Sequence, residues 1–196
     1  MPAFVRALAI VCRPRATWNR IATESTSVPA LLFAYVIPLA AIGPLATYIA
    51  LRVVGVRIAT GETYRTSVAE AVAESLSSFG FAVGGVALIA LIIAALAPRF
   101  GLSRSFARAF RIAAHALTPV WIAGATILVP QLAFVLPLAA LYAVVLLAFG
   151  SEIALGASRR RAGIFAAVVI ACALAIGFVL GATAAVVRGP ASFPSP

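Results

Sequence analysis

The stretch "HALTPVWIAG" at 115–124 holds the chain's one histidine, three residues before a Thr-Pro pair. A buried imidazole needs a hydrogen bond, and a proline inside a helix leaves one carbonyl without its amide partner. Catalysis needs an activated nucleophile, an acid–base pair or a metal cluster. The supply here is thin: one His, five Glu, no Asp, and two Cys outside any CxxC spacing. No Gly-rich phosphate loop, HExxH or GxSxG is present. Ser75, Ser77 and Ser78 lie near Glu70 and Glu74 without a base–nucleophile spacing. The expectation is a protein that is not an enzyme, with no catalytic residue, cofactor or metal.

Two sets of polar residues remain. Glu70 and Glu74 are four apart, so they share a helix face, and Arg52 ends the preceding apolar run on the same side. They read as an outer-face polar cluster that pins two helices, or as an acidic mouth for a cation. Glu152, in "LLAFGSEIALG", is an intramembrane carboxylate, a type that usually faces the bundle interior. Depth arguments place it level with His115, and the two are expected to pair as a clasp between consecutive helices.

Composition dictates what must position these residues. The chain has 196 residues, is 64% hydrophobic and only 10% charged, with mean hydropathy +1.13. That excludes an ordinary soluble domain. The net charge of +10 then reads as membrane topology rather than nucleic-acid binding. A bilayer core takes roughly 20 apolar residues per helix. Five runs qualify, at about 28–51, 73–97, 112–129, 134–154 and 163–187, with "LVPQLAFVLP" at 128–137 breaking the third from the fourth. They form a membrane domain over 28–187, preceded by an amphipathic segment at 1–27 and followed by a short tail at 188–196.

Arginine placement orients the runs. With five alternating spans, eleven arginines fall on the side of the amino terminus and four on the other. Basic loops stay in the cytoplasm, so the amino terminus is expected inside and the carboxyl terminus outside. Cys12 and Cys172 are then separated by membrane depth and form no disulfide, and no cleaved signal peptide is expected. All fifteen basic residues are Arg, a bias that points to a GC-rich bacterial genome.

In "SRSFARAFR", 103–111, Arg104, Arg108 and Arg111 share one face and Phe106 and Phe110 the other. That pattern predicts an interfacial helix whose arginines meet anionic lipid. "PAFVRALAIVC", 2–12, has a weaker face of the same kind through Phe4, Leu8 and Val11. Small residues at four-residue spacing, "GFAVG" at 80–84, Ala167, Ala171, Ala175, and "GFVLG" at 177–181, mark packing faces. They serve internal packing and self-association equally well. Pro38 and Pro44 should bend the first span and Pro119 the third.

Three stretches together resemble the Yip1 family of five-span membrane proteins. They are "RPRATWNRIATESTSVPALLFAYVIPLAAIG" (13–43), "AHALTPVWIAGATILVPQL" (114–132) and "LYAVVLLAFGSEIALGASRRRAG" (141–163). The second is similar to a Tyr-x-x-Thr-Pro-x-Trp signature, carried here by Thr118, Pro119 and Trp121, with His115 where the motif has Tyr. Val145 stands near the second expected Tyr of the third stretch. The resemblance implies five spans, a cytoplasmic amino terminus and, for bacterial relatives, residence in the inner membrane. Eukaryotic relatives engage prenylated small GTPases, a partner not expected for this chain.

The combined reading is an all-α integral membrane protein of the bacterial inner membrane with one or two interfacial helices. Its expected role is a non-enzymatic scaffold that organises membrane proteins or lipids. Its expected partners are anionic lipid on the cytoplasmic face and a second copy or another membrane protein. The alternative is a small oligomeric permease or channel with Glu152, His115 and Glu74 along a polar path.

Overall fold

A chain in lipid must satisfy its backbone internally, so apolar runs of this length become helices. The computed structural model describes residues 3–57 and 63–188. Two short helices come first, α1 (Ala3–Cys12) and α2 (Pro14–Thr23). The first span is α3 (Val28–Val54). The second is α4 (Val68–Leu96). The third is a broken helix, α5 (Phe106–Ala116) followed by α6 (Thr118–Ala123) and a 3-10 turn at Gly124–Leu128. The fourth and fifth are α7 (Val135–Leu155) and α8 (Arg159–Arg188). Five helices are long and apolar enough to cross a membrane. The extended structure among the described residues is a two-residue pairing, Val56 with Tyr64 and Arg57 with Thr63, between α3 and α4.

The starts of α4 and α5 follow side-chain caps rather than apolar boundaries. Ser67 accepts from the Glu70 amide at 3.2 Å while the Glu70 carboxylate accepts from the Ser67 amide at 3.0 Å. This reciprocal capping box starts α4 at Val68, five residues before the expected 73. Ser105 caps α5 without the reciprocal half, its hydroxyl accepting from the Arg108 amide. The segment at 103–111 is therefore not a separate interfacial helix: its helical part opens the third span. Phe110 is buried with Ala109, Ile112 and Ala113, and Phe106 alone of the two phenylalanines stands exposed. The expected external tail at 188–196 lies outside the described residues, apart from the backbone of Arg188.

Prolines make the expected irregularities. Upstream of Pro38 the helix widens to a π-turn over Leu32–Val36, where the Ile37 amide reaches the Leu32 carbonyl five residues back. Pro38 has no amide for the residue-34 carbonyl, and the wider turn makes room for its ring. Pro119 separates α5 from α6 at Leu117. Gly156, at φ 72°, closes α7 in the left-handed conformation that lets the chain turn into α8.

The third span is the axis of the bundle. Of its apolar window 56% is buried, against 22% for the second, fourth and fifth. It packs on α4 and α7, and its 3-10 end crosses α3. There a Cβ on Gly124 would stand 2.9 Å from the Gly43 Cα, so the two backbones touch. The outward surfaces are apolar, with Phe33, Leu45, Phe81, Leu141, Leu174 and Phe178 exposed, as lipid-facing helices require.

The amino-terminal segment departs most from expectation. Ala7 and Ile10 of α1 and Trp18 and Ile21 of α2 are buried in the core. Helix α1 lies against α6 and against residues 37–40 of α3, and α2 lies along α7. Of the apolar face expected for α1, Phe4 and Leu8 do point outward, both exposed by about 60%. The opposite flank, however, is packed into protein.

Candidate functional site

Helix α2 brings Trp18 between the third and fourth spans. The indole is fully buried, and the space it fills exists because residue 150 is glycine. A Cβ there would meet Trp18 Cη2 at 2.8 Å and Ile112 Cγ2 at 3.1 Å. The Trp18 ring meets the edge of the His115 imidazole, with centroids 5.9 Å apart, and His115 stacks on Tyr35 at 4.6 Å. Tyr35 in turn packs edge-on against Trp121 at 6.5 Å. Four rings from α2, α3, α5 and α6 thus form one cluster.

Some of its polar atoms are tied and some are not. The Tyr35 and Thr118 hydroxyls share a 2.7 Å hydrogen bond. His115 Nδ1 lies 2.8 Å from the Arg111 carbonyl. A carbonyl can only accept, which puts the proton on Nδ1 and leaves the Nε2 lone pair bare. Nε2, Trp18 Nε1 and Arg111 Nε are buried without a hydrogen-bond partner among the described residues. Each such atom costs about 1–3 kcal/mol, so apolar and aromatic packing must outweigh them.

The expected clasp between His115 and Glu152 is not made. Glu152 faces Arg15 of α2, with Nη2 and Oε2 3.8 Å apart and the arginine side chain half-exposed. Arg15 also lies 5.0 Å from the Phe149 ring centroid. Depth along the helix says nothing of rotation about it. Gly150 and Ser151 occupy the buried side of α7, and Glu152, about 100° further round, points to α2 instead. The permease residues likewise stand apart: His115 is enclosed, Glu152 is half-buried beside Arg15, and Glu74 is exposed near the start of α4.

The arginine triad is also divided. Arg104 and Arg108 are exposed. Arg111 instead turns inward, and its Nη1 donates to the carbonyls of Ile21 and Glu24. These are end carbonyls of α2, where a cation is favoured. Arg6 closes the same joint with a two-pronged pair to Glu24, at 2.6 and 3.1 Å. Tyr142 of α7 donates to the Val11 carbonyl at 2.8 Å. Through Arg111 and Tyr142 the third and fourth spans hold the α1–α2 segment.

The outer cluster is resolved differently. Glu70 belongs to the Ser67 cap, and no ion pair joins Arg52 to Glu70 or Glu74 among the described residues. Among those residues no His, Cys or Glu grouping could hold a metal ion, and Cys12 and Cys172 are free thiols. The expected packing glycines are open: a Cβ at Gly80, Gly84 or Gly177 would meet nothing within 4 Å. With Phe81, Gly85 and Ala173 they line an apolar groove of about 490 Å³ between α4 and α8. Ala167, Ala171 and Ala175 also face outward, because α8 packs through Ala162, Phe165, Ala166 and Val169.

Trp18, Tyr35, Arg6, Glu24 and Gly150 carry no site role in the sequence pattern, Trp18 and Glu24 entering only within the 13–43 stretch that resembles the family. A signal existed for the first. Trp18 and Ile21 make a narrow apolar stripe in an otherwise charged helix, and Gly150 interrupts a run of large apolar residues. Compared with known proteins, the Yip1 domain family model matches residues 8–181. No curated protein and no solved structure matches the chain.

Proposed function

The chain belongs to the Yip1 family, and from that premise we propose that it works without catalysis, as a scaffold in a bacterial inner membrane. In this reading the amino terminus is cytoplasmic and the carboxyl terminus external. The α1–α2 segment and the exposed Arg104 and Arg108 form a basic face toward anionic headgroups. The open glycine groove between α4 and α8 receives a membrane-protein partner or a second copy. The observation that carries the reading is the use made of the interior polar groups. Arg111 and Tyr142 hold α1–α2 against the bundle and the Arg6–Glu24 pair locks the two short helices together, which makes the basic face a fixed platform rather than a loose tail.

The test is photocrosslinking in native membranes from probes at positions 104 and 108 and at position 84. The expected products are anionic lipid at the first two and a recurrent membrane protein or a second copy at the third. Solute flux into proteoliposomes that follows the amount of protein would overturn the scaffold reading and favour a permease.

A further inference from the structure

Among the described residues three buried side-chain atoms have no hydrogen-bond partner: Trp18 Nε1, Arg111 Nε and His115 Nε2. All three lie where α2 meets α5. Water would satisfy each of them if this joint opened, so closure carries a polar cost that opening returns. We propose that α1–α2 is a reversible strap. It closes a cleft between the third and fourth spans, and it lifts from that cleft as one body while the spans stay folded.

The strap is braced within itself. Arg6 of α1 grips both oxygens of Glu24, at the end of α2, at 2.6 and 3.1 Å. The Thr17 hydroxyl of α2 lies 3.0 Å from the Ala9 carbonyl of α1 and 2.9 Å from the Arg13 carbonyl between the helices. These contacts travel with the strap. The bonds from Arg111 and Tyr142 are of another kind, since they end on the Ile21, Glu24 and Val11 carbonyls. Those carbonyls belong to the last turns of short helices, where water serves as well once the strap lifts. Closure is therefore driven by the burial of Ala7, Ile10, Trp18 and Ile21. A hinge is present too. Residues 24–27 join α2 to α3 without helix, and Glu24 and Ser27 are extended, at ψ 140° and 155°.

The cleft is shaped for what the strap puts into it. Gly150 leaves room for the indole, and a Cβ there would stand 2.8 Å from the ring. Lifting uncovers Gly150, Ile112 and the bare Nε2 acceptor of His115. The strap has another place to go: Phe4 and Leu8 are already exposed on α1, and the side chains that leave the cleft add to that apolar surface. A membrane interface receives such a helix. The platform described above is the closed state, and the strap goes beyond that reading by giving it an open one.

The test uses the full chain in nanodiscs. Diethyl pyrocarbonate acylates a neutral imidazole nitrogen, and His115 is the chain's one histidine. Its labelling, read by mass spectrometry on the peptide that carries it, reports lifting. Amide exchange over residues 3–24 follows the same motion, and exchange over 106–123 follows the integrity of the third span. Replacing Trp18 with benzothienylalanine keeps the ring shape and puts sulfur where the N–H was. With one stranded donor gone, His115 labelling and exchange over 3–24 should both slow by about tenfold. Gly150→Ala crowds the indole and should speed both by about tenfold, with exchange over 106–123 unchanged.

Faster labelling with the sulfur analogue would mean that the indole N–H is partnered in the closed joint, and the strap is overturned. Gly150→Ala changes of equal size over 3–24 and 106–123 overturn it as well, because α2 and the spans would then open only together. So does labelling of His115 that neither variant alters. None of these outcomes depends on what positions 84, 104 and 108 capture, so the scaffold and the strap fail separately.

Discussion

The two ends of the bundle are built on different physical terms. At the α1–α2 end, Trp18, Tyr35, His115 and Trp121 interlock, Arg111 and Tyr142 tie the short helices to spans, and Arg6 pairs with Glu24 between the short helices. Toward the groove between α4 and α8, glycines face open space and the helices meet few polar partners. One end is held by specific complementarity, the other by length and apolarity, which any lipid-facing helix provides. Conformational specificity is therefore concentrated at one end, and substitutions should cost very different amounts according to where they fall.

The largest difference should come from Trp18. Trp18→Ala removes a fully buried indole and should cost about 3–5 kcal/mol, read as a fall in unfolding free energy by circular dichroism in mixed micelles. Gly150→Ala should cost about 1–3 kcal/mol by overpacking, since its methyl would enter the indole at 2.8 Å. In the Trp18→Ala background the Gly150→Ala penalty should nearly vanish. Additive losses would mean that α2 does not dock between the third and fourth spans.

Sequence reasoning reached the coarse architecture and stopped at this joint, for a physical reason. Lipid imposes a long apolar run on each span, so α3 to α8 were legible within a few residues. The ends misjudged were those set by caps, as at Ser67 and Ser105, where polar residues extend the helix past its apolar run. The docking of α1–α2 needed only four buried side chains, Ala7, Ile10, Trp18 and Ile21, against a segment whose net character is basic. Periodicity weighs the whole face and so read the helix as interfacial. Thr118, Pro119 and Trp121 were legible as a motif, yet their partner Tyr35 lies 83 residues away from Thr118. Nothing local marks that pairing.

The next test concerns that pair. Tyr35→Phe or Thr118→Val alone strands one buried hydroxyl or its partner and should cost about 1–3 kcal/mol. The double variant should cost clearly less than the two single losses together, because both polar groups are then gone. Full additivity would place the hydroxyls in separate contacts and dissolve the link between the first and third spans.

The Arg15–Glu152 contact should matter much less, although it lies at the same well-specified end. At 3.8 Å with a half-exposed arginine, it belongs with surface pairs worth about 0–1 kcal/mol. Arg15→Gln should therefore shift stability by no more than that, with the cost shrinking further in high salt. A loss of several kcal/mol would mean that Glu152 is desolvated and depends on Arg15, which would restore it as an intramembrane charge of functional interest.

The smallest effect is expected at the open end, and its sign differs from the others. A Cβ on Gly84 meets nothing within 4 Å, so Gly84→Ala creates no clash inside one copy. Within a helix the same change gains up to about 1 kcal/mol, since alanine loses less backbone entropy. Stability in dilute detergent should hold or rise slightly, whereas the matched change Gly124→Ala should cost about 1–3 kcal/mol against the Gly43 backbone. The contrast between two glycines on different spans separates internal packing from an exposed face. If Gly84→Ala is harmless in detergent but weakens crosslinking at the groove in membranes, a partner approaches there closely enough to need the missing methyl. If it destabilises the isolated chain as much as Gly124→Ala does, the groove is closed by the protein's own helices, and the contrast between the two ends fails.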